Sequence, residues 1–171
     1  MKKLLCVLLL AVVALSLFSC GNDVETPEGM QLVSGDNVAY RFYVPKTWTI
    51  NDVDPPSAYF SITDKTNILV TTYPVEEMTT LDEYWITCDA NYKATFTEYA
   101  VVGEKQTFTV DEQNAIQYVY TFKTDNVNYK VMQTFVGYSG SIYIITYTSI
   151  PENYDLHTEE MDSIIGAFVF R

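Results

Sequence analysis

Between Phe96 and Ser149 apolar and polar residues alternate with a period close to two, and on either side of that stretch the period lengthens to that of a helix. The alternation predicts strands over Phe96–Val102, Glu104–Val110, Ala115–Lys123, Val127–Tyr138 and Ser141–Ser149. Gly103, Asp111 to Asn114, Asp125-Asn126 and Ser139-Gly140 separate them. Links this short make consecutive strands pair antiparallel, as a meander. Ile116, Tyr118, Tyr120 and Phe122 share one face of their strand. In Ser141–Ser149, by contrast, Ile142 and Ile144 oppose Tyr143, Ile145 and Tyr147, so both faces are apolar. A sheet wetted on one side shows cleaner alternation, and the central strands are therefore expected to be covered on both faces.

Before this region, Leu81, Tyr84, Trp85 and Cys88 fall at i, i+3, i+4 and i+7, and Tyr92 extends the stripe. This predicts an amphipathic helix that starts at a capping box, Thr80 with Glu83 three residues later. Cys88 lies on the apolar stripe and is expected to be buried, reduced and unreactive. After Pro151, the spacing of Met161, Ile164, Ile165 and Phe168 predicts a second helix packed on the sheet. Nearer the N-terminus, Met30–Ser34 and Val38–Val44 read as a hairpin around Gly35, Asp36 and Asn37, with Tyr40, Phe42 and Val44 on one face. Ala58–Ile62 and Asn67–Tyr73 read as two further strands, separated by Asp64, Lys65 and Thr66.

The first thirty residues follow another logic. Lys2 and Lys3 precede an apolar run, Leu4 to Phe18, shorter than the roughly 20 residues a spanning helix needs. Such a run is an export signal. It ends in Leu17-Phe18-Ser19-Cys20, which resembles a bacterial lipobox: Leu17 stands three places before the cysteine and the small Ser19 directly before it. The resemblance implies cleavage between Ser19 and Cys20, lipid attachment (palmitate among the acyl chains) to Cys20, and a domain held outside the cytoplasm at a cell membrane. Residues 1–19 are then signal peptide, 20–29 a lipidated polar tether containing Pro27, and 30–171 a single domain.

Charge and cysteine content narrow the partners. The formal charge is −12, and removal of Lys2 and Lys3 makes it more negative. No basic patch exists to exchange for the counterions of nucleic acid, so no nucleic-acid partner is expected. Attachment to a membrane must come from lipid rather than from charge. Cys6 falls in the signal and Cys20 carries lipid, which leaves Cys88 without an intramolecular partner.

Taken in order, the strand ending YRFYVPKTW, the turn-rich middle, the helix beginning TTLDEYW, the meander and the close on IIGAFVF resemble the PsbP-like fold, shared with Mog proteins and many small bacterial lipoproteins. The resemblance runs from about Met30 to Arg171, with Pro45, Trp48 and Ile165 to Phe168 as its most recognisable positions. It implies an α+β fold, an αβα sandwich with a central antiparallel β-sheet flanked by helices, and a non-catalytic accessory or assembly role. The photosystem and Ran partners of that group do not carry over, since no residue here points to either.

Candidate chemistry is sparse. Gly137-Tyr138-Ser139-Gly140-Ser141 departs from the G-x-S-x-G spacing of a nucleophile elbow and joins two strands. His157, the single histidine, stands among Asp155, Glu159 and Glu160, where a solvated surface position is expected. One His and one buried Cys are too few ligands for zinc. Asp52 and Asp54 alternate as in a calcium loop, but Pro55 and Pro56 replace its turn. Neither a catalytic residue, a metal nor a cofactor is expected. The fourteen tyrosines suggest large amphipathic contacts. An envelope protein partner is the favoured expectation, and a glycan or apolar molecule held in a tyrosine-lined cleft the alternative.

Overall fold

A computed structural model describes residues 25–51, 54–76 and 79–171. Its centre is a seven-stranded antiparallel sheet of order β4-β5-β6-β10-β9-β8-β7, formed by Thr49–Asn51, Ser57–Ser61, Thr66–Pro74, Ser141–Ser149, Val127–Tyr138, Gln113–Thr124 and Thr97–Val110 respectively. The class is α+β, as the sequence implies. Two-residue turns join β7 to β8, β8 to β9 and β9 to β10. In each, both central residues have positive φ: Asp111 and Glu112, Asp125 and Asn126, Ser139 and Gly140. That backbone twist matches the twist of the flanking strands, and it fixes their register.

Each face of the sheet carries an apolar cluster. On one, Trp85 of helix α1 (Leu81–Thr95) packs on Ile116, Tyr120, Val131, Phe135, Ile142 and Ile144. On the other, Met161, Ile164 and Ile165 of helix α3 (Thr158–Gly166) join Tyr143, Ile145 and Tyr147. The double-sided apolar pattern of β10 thus divides between two cores, as its sequence predicts. Helix α1 begins at the expected box: Glu83 N donates to Thr80 Oγ1 at 3.2 Å, and Thr80 N donates to Glu83 Oε2 at 2.9 Å.

Four expectations need correction. Phe96–Val102 and Glu104–Val110 are one strand, β7, because a lone Gly103 is too short to reverse the chain. It sits at φ +75° in a bulge, where the register passes from Val102↔Val119 to Gln106↔Gln117. Val38–Val44 is not one strand. Tyr43–Pro45 (β3) pairs with Met30–Leu32 (β1), completing the expected hairpin, whereas Tyr40–Arg41 (β2) pairs with Val169–Phe170 (β11). The Ser34 hydroxyl bridges the break, accepting from Phe42 N at 3.0 Å and donating to Tyr40 O at 3.1 Å. The last helix ends at Gly166, so Phe168 lies beyond it, although it is still buried against Tyr40 at 5.1 Å between rings. Lastly, His157 is buried, at 6% exposure. It closes a short 3-10 turn, Asp155–His157, between α2 (Pro151–Tyr154) and α3.

Candidate functional site

Cys20 and Ser19, the residues expected to carry lipid and to flank the cleavage point, lie outside the described residues, as do Asp52 and half of the tether, residues 20–24. Among the described residues no helix is long and apolar enough to cross a membrane. Cys88 is half-buried on the sheet-facing side of α1, and burial pushes its thiol pKa up, in keeping with an unreactive group.

Ser139 and His157 do not meet. Ser139 turns the chain between β9 and β10, while His157 sits by Asp64 and by the Lys130 end of β9. The length of β10 separates them, roughly 30 Å at strand rise. The tyrosines are largely spent in packing: among the fourteen, only Tyr73 is exposed, at 46%. A contact built on several exposed tyrosines therefore has no support in the structure.

Three surface features remain. The first is the end of the sheet where the β5–β6 turn meets the 3-10 turn. His157 Nδ1 lies 2.7 Å from Glu160 Oε2, which also accepts from Trp48 Nε1 at 3.2 Å. Asp64 accepts from Thr66 N at 3.0 Å through Oδ1, and its Oδ2 is 3.8 Å from His157 Nε2. The His157 ring packs on Phe60 at 4.2 Å and on Trp48 at 5.9 Å. Around this polar base Ile62 is 77% and Leu156 73% exposed, with Phe60 at their margin. The sequence could not reveal this cluster, since Trp48, Asp64 and Glu160 come together only through the fold.

The second feature is the outer edge of β7, which closes the sheet order with no strand across it among the described residues. It is exposed at every position except Tyr99, Phe108 and Val110, and Val101 and Val102 stand out among the exposed apolar residues. Bulges at Thr97/Ala100 and Val102/Gln106 leave Ala100–Val102 and Gln106–Val110 as regular segments.

The third is a pair of clefts towards the opposite end. One, of about 430 Å3, is lined by Thr79, Thr80, Gln113, Asn114, Ser139 and Ser141 among others. Another, of about 340 Å3, has Tyr40, Asp54, Pro56 and Tyr73 in its wall. Burial, aided by the charge of Asp54, pushes Tyr40 up to about 12. Neither cleft is walled mainly by tyrosine.

No protein-family model and no curated protein matches the chain. Solved structures do. Cyanobacterial PsbP (CyanoP) from Synechocystis sp. PCC 6803 superposes with a TM-score of 0.63 at 14% identity, over 91% of this chain and 99% of that one. PA94 from Pseudomonas aeruginosa, described as a putative regulator, gives 0.58 at 13% identity over 83% and 97%. LpqN from Mycobacterium tuberculosis, described as involved in cell envelope biogenesis, gives 0.51 at 12% identity over 86% and 81%. The fold is PsbP-like. At these identities the likeness speaks to fold alone.

Proposed function

We propose that this chain is a cell-envelope lipoprotein, anchored through Cys20, whose domain is an αβα sandwich serving as a non-catalytic protein-binding or assembly module. The observation that carries this reading is the open β7 edge. Unpaired backbone donors and acceptors beside Ala100–Val102 can take up an extended segment of another protein, and exposed Val101 and Val102 supply apolar contact. The bulges on either side restrict such pairing to short stretches, which guards against sheet-to-sheet aggregation. The fold shared with an envelope-biogenesis protein supports the setting.

Two experiments test it. A photo-crosslinking residue at Val101 in intact cells should form an adduct with a defined envelope protein, and that adduct should vanish when Val102 is replaced by Pro. Adducts absent at this edge, with the purified domain carrying a stoichiometric small molecule, would overturn the reading. Replacing Cys20 by Ala should release the protein from membranes or leave its signal uncut; an unchanged membrane fraction would refute the anchor.

The 430 Å3 cleft favours the second reading, a receptor for a glycan or similar small molecule. Its size suits a ligand site, and its hydroxyls and amides suit a neutral polyhydroxylated one.

A further inference from the structure

We propose that the end of the domain bearing Ile62, Leu156 and Phe60 is the face turned towards the bilayer. The inference rests on the anchoring reading above and adds an orientation to it.

Three observations carry it. First, the chain enters the domain at this end. Lys46 N donates to Gly29 O at 3.0 Å, and the Gln31 amide donates to Trp48 O at 2.6 Å. The ring of Trp48 in turn lies 6.0 Å from Phe60 and 5.9 Å from His157. A tether running from Cys20 to Met30 spans at most about 35 Å when fully extended. The face beside its exit is therefore the one that lipid at Cys20 reaches with the shortest tether.

Second, the carboxylates of Asp64 and Glu160 at this end point inward. Asp64 and Glu160 have side chains only 18% and 32% exposed, engaged with His157 and, through Thr66 N and Trp48 Nε1, with the fold itself. Hydrocarbon points outward instead, with Ile62 and Leu156 at 77% and 73%. In a chain of charge −12, a surface that buries carboxylates and shows aliphatic side chains is suited to the acyl–headgroup boundary.

Third, cations sit at its margin. Lys46 and Lys65 are exposed, Lys65 lies over the Tyr129 ring at 5.8 Å, and Lys130 bonds Asp155 at 3.1 Å. Long lysine stems can reach headgroup phosphates from such positions. Glu152, Asp155 and Glu159 are exposed along this margin, and the lysines offset part of that charge, Lys130 by pairing with Asp155.

The test uses the full acylated protein in vesicles of phosphatidylethanolamine and phosphatidylglycerol. A nitroxide label is placed in turn at Ile62→Cys, Leu156→Cys, Val101→Cys and Ser139→Cys, in a Cys88→Ala background. Labels at 62 and 156 should collide with bilayer oxygen at least several-fold more often, relative to a nickel chelate in water, than labels at 101 and 139. Equal, water-like exposure at all four sites on vesicles that carry the protein would overturn the orientation and leave the anchor standing. Protection of 62 and 156 from both reagents would overturn it too, pointing to a protein cover such as a second copy. Failure of the protein to float with the vesicles would refute the anchor, and the orientation with it.

Discussion

Replacing Trp85 by Ala should cost about 4 kcal/mol of stability, the midpoint for removing a buried aromatic side chain. Trp85 is 6% exposed and fastens α1 to the sheet. Its ring stacks on Tyr118 at 3.9 Å with an 8° tilt and meets the edge of Phe135 at 5.7 Å. Such pairs add roughly 0.5–1.5 kcal/mol beyond area. A domain of this size is stable by roughly 5–15 kcal/mol, so the loss is large but survivable. It corresponds to a fall in melting temperature of roughly 8–16 °C. Ile86, its neighbour on the same helix, is 65% exposed, and Ile86→Ala should stay within about 0.5 kcal/mol. Urea unfolding followed by far-ultraviolet circular dichroism measures both without relying on tryptophan emission. A Trp85→Ala loss below about 1.5 kcal/mol, or an equal loss in Ile86→Ala, would show that α1 is not held by this contact.

Thr80→Ala removes the hydroxyl that accepts from Glu83 N while leaving the Thr80 N bond to Glu83 Oε2 possible, and should cost about 1 kcal/mol, read from the same urea curves; no change would mean that water replaces the cap without loss. Because burial raises the Cys88 thiol pKa, a disulfide reagent should label the native protein slowly at neutral pH and faster as pH rises, and immediate labelling would refute the packing. Tyr40 and Tyr84 are both pushed up to about 12, chiefly by burial. Their neutral forms therefore contribute stability that is full below the unfolded value of about 10 and lost as pH climbs through about 12. Absorbance titration should show this late phase, and a single wave near 10 with the fold intact would contradict it.

Most of the meander was legible because its information is local. Two-residue turns and period-two alternation specify β8, β9 and β10 without reference to distant residues, and the Thr80 box does the same for α1. Gly103 shows the limit of local reading: a glycine with positive φ serves a bulge as readily as a turn, and only its pairing with β8 decides which. Tyr40 and Phe42 were recognisable as core, but the split between β2 and β3 depends on β11, well over a hundred positions downstream. His157 was misplaced for the same reason. Its sequence neighbours are acidic, yet its spatial neighbours Trp48 and Phe60 are aromatic, and they arrive from another part of the chain. The lipobox-like positions Leu17, Ser19 and Cys20 form a linear pattern that needs no fold to be recognised, and they lie outside the described residues.

The arrangement of charge ties the surface features together. Lys93, Lys105, Lys123, Lys130 and Arg171 each pair with a carboxylate, at 2.6, 2.8, 2.9, 3.1 and 3.5 Å. Exposed pairs like these contribute little stability, but they occupy at least five of the eight cations among the described residues, so the remaining carboxylates give the sides of the domain a negative field. That field repels anionic headgroups as well as acidic proteins. Of the surface features, the end with Ile62 and Leu156 is the one that turns its buried carboxylates inward, and it is also where the chain enters. With that end on the bilayer, the strands stand along the membrane normal. The 430 Å3 cleft by Ser139 and Gln113 then opens at the top, roughly 30 Å from the lipid at strand rise, and β7 runs down one side within reach of a partner from either the membrane or the space beyond it. A partner that adds a strand to β7 would meet Glu104 as well as Val101 and Val102, and an extended segment that carries both a basic and an apolar side chain suits these three.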